Sequence, residues 1–214
     1  MTFNLEEELA KKHFRVTIFG SARTKKDDKE YDAVHKLAFK CGQQGYDVVT
    51  GGGPGSMKAA NEGHQEGKAD TDSDSVGLVI KLPWEAGSNE FLDVEKKFDK
   101  FSERLDTFMI LSNVAVVTYG GLGTCLELFY AWQLTQVKHI CAMPIILVGE
   151  MWEELVEWVK KRIIDEGRAD PKDLHNIFVV KSIDQAMNVI NKAHEVFEKE
   201  GENYCLNYKK YKLD

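Results

Sequence analysis

The residues best suited to chemistry form a glycine-rich turn with a carboxylate behind it. The turn reads Gly120-Gly121-Leu122-Gly123-Thr124, and Glu127 follows three residues later. Glycines let backbone amides approach an anion closely, and the first turn of a helix offers unpaired amides and the positive end of its dipole. The Thr124 hydroxyl adds a donor. The pattern predicts a phosphate site with Glu127 one helical turn away.

Two other turns of small residues follow apolar runs of strand character. Gly20-Ser21 ends the run at 14–20, and a glycine cluster at 51–55 follows the run at 46–50. In a doubly wound sheet, ligands bind outside the carboxyl ends of the strands, where the strand order reverses. With the order 3-2-1-4-5, all three turns would meet in one crevice. The cluster supplies Gly51, Gly52, Gly53 and Gly55.

A structural alternative exists for each turn. Thr124 and Glu127 have the spacing of a capping box, and glycines before a helix can serve only to make a tight turn. For one turn alone, both interpretations stay open, whereas two such turns at one predicted crevice favour a phosphate ligand. The turn after the first strand lacks the G-x-G-x-x-G of dinucleotide folds. The stretch at 63–68 has three residues between its glycines, where a P-loop requires four.

Strand and helix patterns alternate along the whole chain. This alternation predicts βαβ units and a parallel sheet covered on both faces, which is an α/β, Rossmann-like, doubly wound fold of three αβα layers. We expect one nucleotide-binding domain over 1–214, with its core at about 14–198 and a loose tail at 201–214. Strands are predicted at 14–20, 46–50, 75–80, 114–118, 144–148 and 176–180, and helices at 28–44, 56–66, 94–111, 152–166, 183–198 and from the second glycine turn to Gln136.

Composition narrows the class of partner and the compartment. The net charge of -7 argues against a nucleic-acid binder, and no apolar run approaches the roughly 20 residues that span a bilayer. The first residues are acidic, unlike a signal peptide, so we expect a cytoplasmic protein. The cysteines show no C-x-x-C spacing and are predicted to be four unpaired thiols. They are Cys41, Cys125, Cys141 and Cys205.

The same motifs resemble the LOG family, phosphoribohydrolases that activate cytokinins and were long described as lysine decarboxylases. The family signature P-G-G-x-G-T-x-x-E matches residues 119–127, with Tyr119 in place of the proline. Arg104 lies fifteen residues before that position, as the family arginine does. The stretches at 19–23, 50–63, 132–133 and 143–145 also match. The resemblance therefore covers about residues 14 to 180.

The resemblance implies hydrolysis of the N-glycosidic bond of a nucleoside 5′-monophosphate, AMP or an N6-substituted AMP, to a free base and ribose 5-phosphate. Glu127 would stabilise the oxocarbenium-like ribose and orient water, and Arg104 would bind ribose hydroxyls or phosphate. No cofactor and no metal is expected, and the family implies a homodimer or higher homo-oligomer. The residues expected to bind the substrate and its phosphate are Gly20, Ser21, Gly52, Gly53, Gly55, Gly120, Gly121, Gly123 and Thr124.

Two departures from the family pattern keep other functions open. Tyr119 replaces the signature proline, and Leu105 replaces a lysine that often follows the arginine. These changes motivate a second hypothesis, a non-catalytic protein that binds a nucleotide or a phosphorylated cofactor. A third hypothesis is an assembly protein with a vestigial crevice.

Other residues have simpler explanations. Without the family spacing, Arg104 would be interpreted as a solvated helix charge, and His64 is expected to be a solvated helix residue. Cys125 is expected to fill a small space. Glu85 and Asn89, after the third strand, could reach a base or ribose.

Overall fold

The computed structural model describes residues 4–82 and 87–210. These residues form one seven-stranded parallel sheet with the order β4-β3-β2-β1-β5-β6-β7. The strands are β1 (Arg15–Phe19), β2 (Asp47–Thr50), β3 (Ser75–Ile80), β4 (Val94–Phe98), β5 (Val114–Val117), β6 (Ile145–Val148) and β7 (Ile177–Val180).

Helices connect most of the strands. The helices are α1 (Leu5–Ala10), α2 (Lys29–Gln43), α3 (Ser56–Gly67), α4 (Phe101–Leu111), α5 (Leu122–Gln136), α6 (Glu150–Val159), α7 (Ile183–Glu200) and α8 (Asn207–Lys210). A π-helical turn, Lys160–Ile164, continues α6, and short 3-10 turns occupy Pro171–Leu174 and Gly201–Asn203. None of the described helices is both long enough and apolar enough to cross a bilayer.

Two apolar layers cover the two faces of the sheet. Val16 and Ile18 of β1 face the layer made with α2, α3 and α7, whereas Phe19 faces the layer made with α4, α5 and α6. Successive side chains of a strand point to opposite faces, so β1, which is covered on both sides, buries all five of its residues. This arrangement confirms the predicted Rossmann-like αβα fold.

The sheet reverses its direction of growth between β1 and β5. In chain order, β2, β3 and β4 extend the sheet on one side of β1. The next strand, β5, pairs with the other side of β1, where Phe19 pairs with Val117. Loops that leave the carboxyl ends of these two strands diverge to opposite faces and open a crevice. The predicted strands thus have the expected order, and the crevice lies where the glycine turns converge.

The helix α2 follows its sequence pattern closely. Its buried apolar residues recur at intervals of three and four, which places them on one side of the helix against the sheet. The helix ends before Gly45, whose φ of 73° is a conformation that other residues adopt only with strain. The buried apolar residues are Tyr31, Val34, Leu37, Ala38 and Cys41.

The prediction of one helix over 94–111 is wrong in its first part. Val94–Phe98 is a strand that pairs in parallel with β3, and the helix begins only at Phe101. Only the two end residues of this edge strand are buried, and its three middle residues are charged. Val94, Phe98, Phe101 and Leu105 therefore keep intervals of three and four across the strand–helix junction, an accidental helical pattern.

The predictions of four unpaired thiols and of a loose tail are also wrong for the described residues. Cys141 and Cys205 form a disulfide, while Cys41 and Cys125 are free. Asn207 accepts a hydrogen bond from the Cys141 amide and donates to the carbonyls of Met109 and Ser112. These contacts hold the segment 204–210 against the body of the fold. Because disulfides persist in oxidising surroundings, the cysteines no longer argue for a reducing compartment.

Candidate functional site

The helix α5 begins earlier than a capping box would require. Its first residue is Leu122 after the N-cap Gly121, and no side chain of the described residues caps it. Thr124 is therefore the third helical residue and is buried, so the capping-box alternative is wrong. The first amides of a helix have no intrahelical acceptor, and here they end at the crevice. The start of α5 can thus receive an anion.

A cavity of about 510 Å³ lies at this point, between the ends of β1 and β5. Its size falls within the range of small-ligand sites. It brings together eight of the residues predicted from the sequence, while Gly52, Gly55 and Gly120 do not line it. The eight are Gly20, Ser21, Gly53, Arg104, Gly121, Gly123, Thr124 and Glu127.

The glycines of the site serve two different purposes. A side chain at Gly51 would occupy the space taken by the Arg104 guanidinium, and one at Gly55, where φ is 67°, would overlap the Ser21 carbonyl. These glycines are required by packing within the protein. A Cβ at Gly121 or Gly123 would instead enter open space. The approach for a ligand is therefore at the start of α5.

Arg104 and Glu127 face each other inside the cavity. Arg104 Nη1 lies 3.4 Å from Glu127 Oε1, and Arg104 Nε donates to the Leu78 carbonyl at 2.6 Å. Only 9% of the arginine side chain and 12% of the glutamate side chain are exposed. The interpretation of Arg104 as a solvated helix charge is wrong. The β3 carbonyl fixes the guanidinium, which leaves Nη1 directed at the carboxylate.

Burial controls the protonation of Glu127. Removal from water penalises the carboxylate and raises its pKa to about 7, and the positive charge of Arg104 opposes part of that rise. A carboxyl group with this pKa is divided between its two protonation states near neutral pH. It can therefore accept or hold a proton in a reaction, which an ordinary surface glutamate does not do at this pH.

Several apolar residues of the cavity were not singled out from the sequence. They form an apolar wall of the cavity that also contains Arg104 and Glu127, and Phe101 is 49% exposed. A flat aromatic group could pack against such a wall. Met57 falls in the matched stretch at 50–63, whereas a position at or shortly after a strand end was the only sequence signal for the other three, and many core residues share it. The wall consists of Met57, Ile80, Leu82 and Phe101.

Tyr119, which replaces the signature proline, packs away from the cavity. Its ring occupies the space next to Gly149, where a Cβ would overlap it, and its hydroxyl accepts a hydrogen bond from the Glu150 amide at 3.3 Å. The tyrosine thus ties the turn after β5 to the start of α6. Leu105, at the other departure, is buried beside Arg104.

Two residues considered from the sequence have structural contacts instead. His64 is fully buried and contacts the Tyr46 carbonyl and the Ser73 hydroxyl, so the expectation of a solvated residue is wrong. The Asn89 side chain is bonded to the glycine loop and does not line the cavity. Glu85 lies outside the described residues. Cys125 packs partly buried against the core, as expected.

A group of potential metal ligands lies at the amino-terminal ends of β1, β2 and β3, at the opposite end of the strands from the crevice. Within the part of the chain that the structure describes, His13, Asp47 and Asp74 bring ligand atoms within 4.8 Å of one another. Lys11 and Arg15 lie in ion-pair contact with these carboxylates. The negative charges are thus already balanced by side chains, and this group is remote from the crevice.

A parallel doubly wound sheet with a polar crevice at its switch point defines a Rossmann-like α/β protein. The family described as "Possible lysine decarboxylase", which is the LOG family, matches residues 57–190. The chain belongs to this family. No curated protein sequence matches it.

Solved structures share this fold at low sequence identity. TM1055 has a TM-score of 0.65 and 22% identity over 84% of this chain and 99% of its own. The molybdenum cofactor carrier protein of Chlamydomonas reinhardtii has a TM-score of 0.63 and 18% identity over 86% and 99%. The molybdenum cofactor binding protein of Rippkaea orientalis has a TM-score of 0.64 and 15% identity over 84% and 96%.

Proposed function

We propose that the protein hydrolyses the N-glycosidic bond of a nucleoside 5′-monophosphate, with AMP or an N6-substituted AMP as the substrate class. The observation that carries this proposal is the buried Glu127 opposite Arg104, one helical turn behind the open start of α5. The products are the free base and ribose 5-phosphate. The proposed reaction involves no nucleic acid, membrane, metal or cofactor.

The phosphate is assigned to the start of α5. Gly123 and Thr124 belong to the first helical turn and line the cavity, so their amides are the proposed donors to an anion that the helix dipole favours. Ser21, from the turn after β1, lines the same cavity and offers a hydroxyl. A phosphate bound here would place the attached ribose toward the interior, where Glu127 and Arg104 lie.

Glu127 is the proposed catalytic residue. Departure of the base leaves positive charge on C1′ and the ring oxygen, which a carboxylate in a low-dielectric site stabilises strongly. Water adds to C1′, the electrons of the C1′–N bond leave with the base, and the base takes up a proton. Arg104 keeps part of the Glu127 population ionised and presents forked donors to ribose hydroxyls or phosphate.

A homo-oligomer is part of the proposal. Leu122 is 92% exposed, and Leu126 and Phe129 continue the same exposed apolar stripe along α5. Spacings of four and three residues keep these side chains on one face of the helix, next to the cavity. A second copy packed on this stripe would cover it. Light scattering of Leu126→Asp against the unaltered protein tests the proposal, and an unchanged mass would contradict it.

A second candidate is a binding protein without turnover. The replacement of the signature proline by Tyr119 and the fold shared with the molybdenum cofactor carrier proteins favour it. It predicts that AMP or a phosphorylated cofactor raises the melting temperature while no base is released.

The experiment is a panel of purine and pyrimidine 5′-monophosphates with chromatographic detection of free base. If the protein is a hydrolase, we expect it to release free base from at least one purine monophosphate and none from adenosine, which lacks the phosphate. Stabilisation by the monophosphates without any base would favour the binding protein. Neither effect with any member of the panel would overturn the hydrolase proposal, and the binding protein would also be overturned if no phosphorylated cofactor raised the melting temperature.

A further inference from the structure

We propose that Asn89 is a positioning residue that holds the glycine loop after β2 in its ligand-binding shape. The inference rests on the proposed function for its effect on ligand affinity, but its effect on the loop can be measured separately. Asn89 lies in the segment between β3 and β4, and it reaches across to the loop at 51–55.

Asn89 bonds to the loop from both its side chain and its backbone. Its side-chain Nδ2 lies 3.0 Å from each of the carbonyl oxygens of Gly52 and Gly53, and its backbone amide donates to the Gly52 carbonyl at 2.8 Å. Its Oδ1 accepts from the Phe91 amide at 3.1 Å, which fixes the orientation of the side chain. An asparagine supplies the acceptor for the Phe91 amide together with two N–H donors, which the nearby acceptors share.

A buried polar network anchors the asparagine. Asn89 Nδ2 also lies 2.9 Å from Asn61 Oδ1, and Asn61 in turn accepts from Thr50 and donates to Ser75. The Thr50 hydroxyl accepts from the Gly52 amide at 2.9 Å. The network therefore joins the loop to β2, β3 and α3. Such a network fixes one arrangement of the backbone when every member is satisfied.

The loop needs this support because glycines do not order themselves. Gly52 has a φ of 68°, and residues 51–53 have no side chains with which to pack. Gly51 lies against the Arg104 guanidinium, and Gly53 lines the cavity. A displaced loop would consequently disturb both the arginine and the shape of the cavity. The Asn89 side chain does not line the cavity, so its influence on a ligand is indirect.

Asn207 provides a matched control for the test. It is also an asparagine that donates to two backbone carbonyls and accepts from a backbone amide, but it lies near the amino-terminal ends of β5 and β6, at the opposite end of the strands from the glycine loop. Asn89→Ala and Asn207→Ala remove the same atoms, and both should lower the melting temperature. Only the first should loosen the glycine loop and weaken binding at the cavity.

The experiment measures hydrogen exchange of peptides covering 50–56 and the affinity for ribose 5-phosphate by calorimetry, in the full chain. We expect Asn89→Ala to exchange faster in 50–56 and to bind ribose 5-phosphate at least about tenfold more weakly. Asn207→Ala should have the same exchange rates in 50–56 and the same affinity as the unaltered protein. Should Asn89→Ala fail to fold, Asn89→Ser, which keeps one donor, replaces it. Unaltered exchange in 50–56 would overturn the proposal. If no protein binds ribose 5-phosphate, the proposed function fails, while the exchange rates still decide the role of Asn89.

Discussion

Arg104 Nη1 and Glu127 Oε1 lie 3.4 Å apart, while the Leu78 carbonyl holds the other side of the guanidinium. The arginine is therefore positioned by β3 and directs one nitrogen at a carboxylate that burial would otherwise keep protonated. This relationship links the placement of a strand carbonyl to the charge state of the proposed catalytic residue.

Replacing Arg104 should change the pH dependence of activity as well as its size. Arg104 lowers a Glu127 pKa that burial raises to about 7, so Arg104→Met should raise that pKa further. If the carboxylate is the working form, activity rises with pH through the pKa, and the acid limb of kcat/KM moves to higher pH. Rates of AMP hydrolysis from about pH 5.5 to about pH 9 measure this shift. Arg168→Met, at an exposed remote arginine, is the control. An acid limb that stays in place would contradict the electrostatic role of Arg104.

Adding one methyl group at Gly123 should block the phosphate without harming the fold. A Cβ at this position meets open space, and alanine is favoured over glycine in a helix by about 1 kcal/mol. Gly123→Ala should therefore melt no lower than the unaltered protein and yet bind ribose 5-phosphate at least about tenfold more weakly. Thermal melting and calorimetry measure the two effects. Unchanged affinity would mean that the start of α5 does not hold the phosphate.

Gly51→Ala should lower the stability of the protein, in contrast to Gly123→Ala, and thermal melting of both variants measures the difference. Its Cβ would overlap the Arg104 guanidinium and the Met57 sulfur, so it should lower the free energy of unfolding by about 1 to 3 kcal/mol. Equal stability of the two alanine variants would contradict the division of the glycines into packing and ligand-facing positions.

Much of the fold and part of the site can be predicted from the sequence because strands buried on both faces leave clear apolar runs. The β3 run at 75–80 is predicted with the same bounds, and the side chains of α2 face the core as predicted. The edge strand β4 is the exception, since it is buried only at its two ends. The turn positions and the Arg104–Glu127 spacing could be read from the motif.

Contacts between residues distant in the chain could not be predicted in the same way. Cys141 and Cys205 are 64 residues apart and show no informative spacing. The burial of His64 depends on Tyr46 and Ser73, which approach it only in the folded sheet. The apolar wall that includes Phe101 likewise depends on the orientation of α4 relative to β4. Local patterns report which face of an element is buried, but not which partner covers it.

Reduction of the Cys141–Cys205 disulfide should destabilise the protein and spare the crevice. A loop closed over 64 residues contributes about 4 kcal/mol to the free energy of unfolding in the chain-entropy model. The disulfide holds the segment 204–210, away from the cavity at the start of α5. We expect urea unfolding of the reduced protein and of Cys205→Ser to shift alike, with ribose 5-phosphate affinity unchanged. A loss of affinity on reduction would contradict this separation.

The free energy of unfolding should depend on the protonation of His13. The hydrogen bond from Nδ1 to the buried Asp47 raises the pKa of His13 above its ordinary value of 6.5. A group with a raised folded pKa stabilises the protein fully below its unfolded pKa, and this stabilisation is lost as pH rises through the folded value. His13→Gln should therefore flatten the fall in stability above about pH 6.5. Urea unfolding across this range measures it, with exposed His175→Gln as the control. The same slope in His13→Gln and the unaltered protein would contradict the assignment.

Glu127 is proposed to carry the cleavage of an N-glycosidic bond in this crevice. Glu127→Gln keeps the size of the side chain and the hydrogen-bonding ability but cannot carry the negative charge. The most direct measurement is the rate at which free adenine and ribose 5-phosphate appear from AMP with each protein, alongside AMP affinity. We expect equimolar products from the unaltered protein, a rate lowered by about a hundredfold or more in Glu127→Gln, and AMP affinity retained within about tenfold. Equal rates in the two proteins, or no adenine from either while AMP binds, would contradict it.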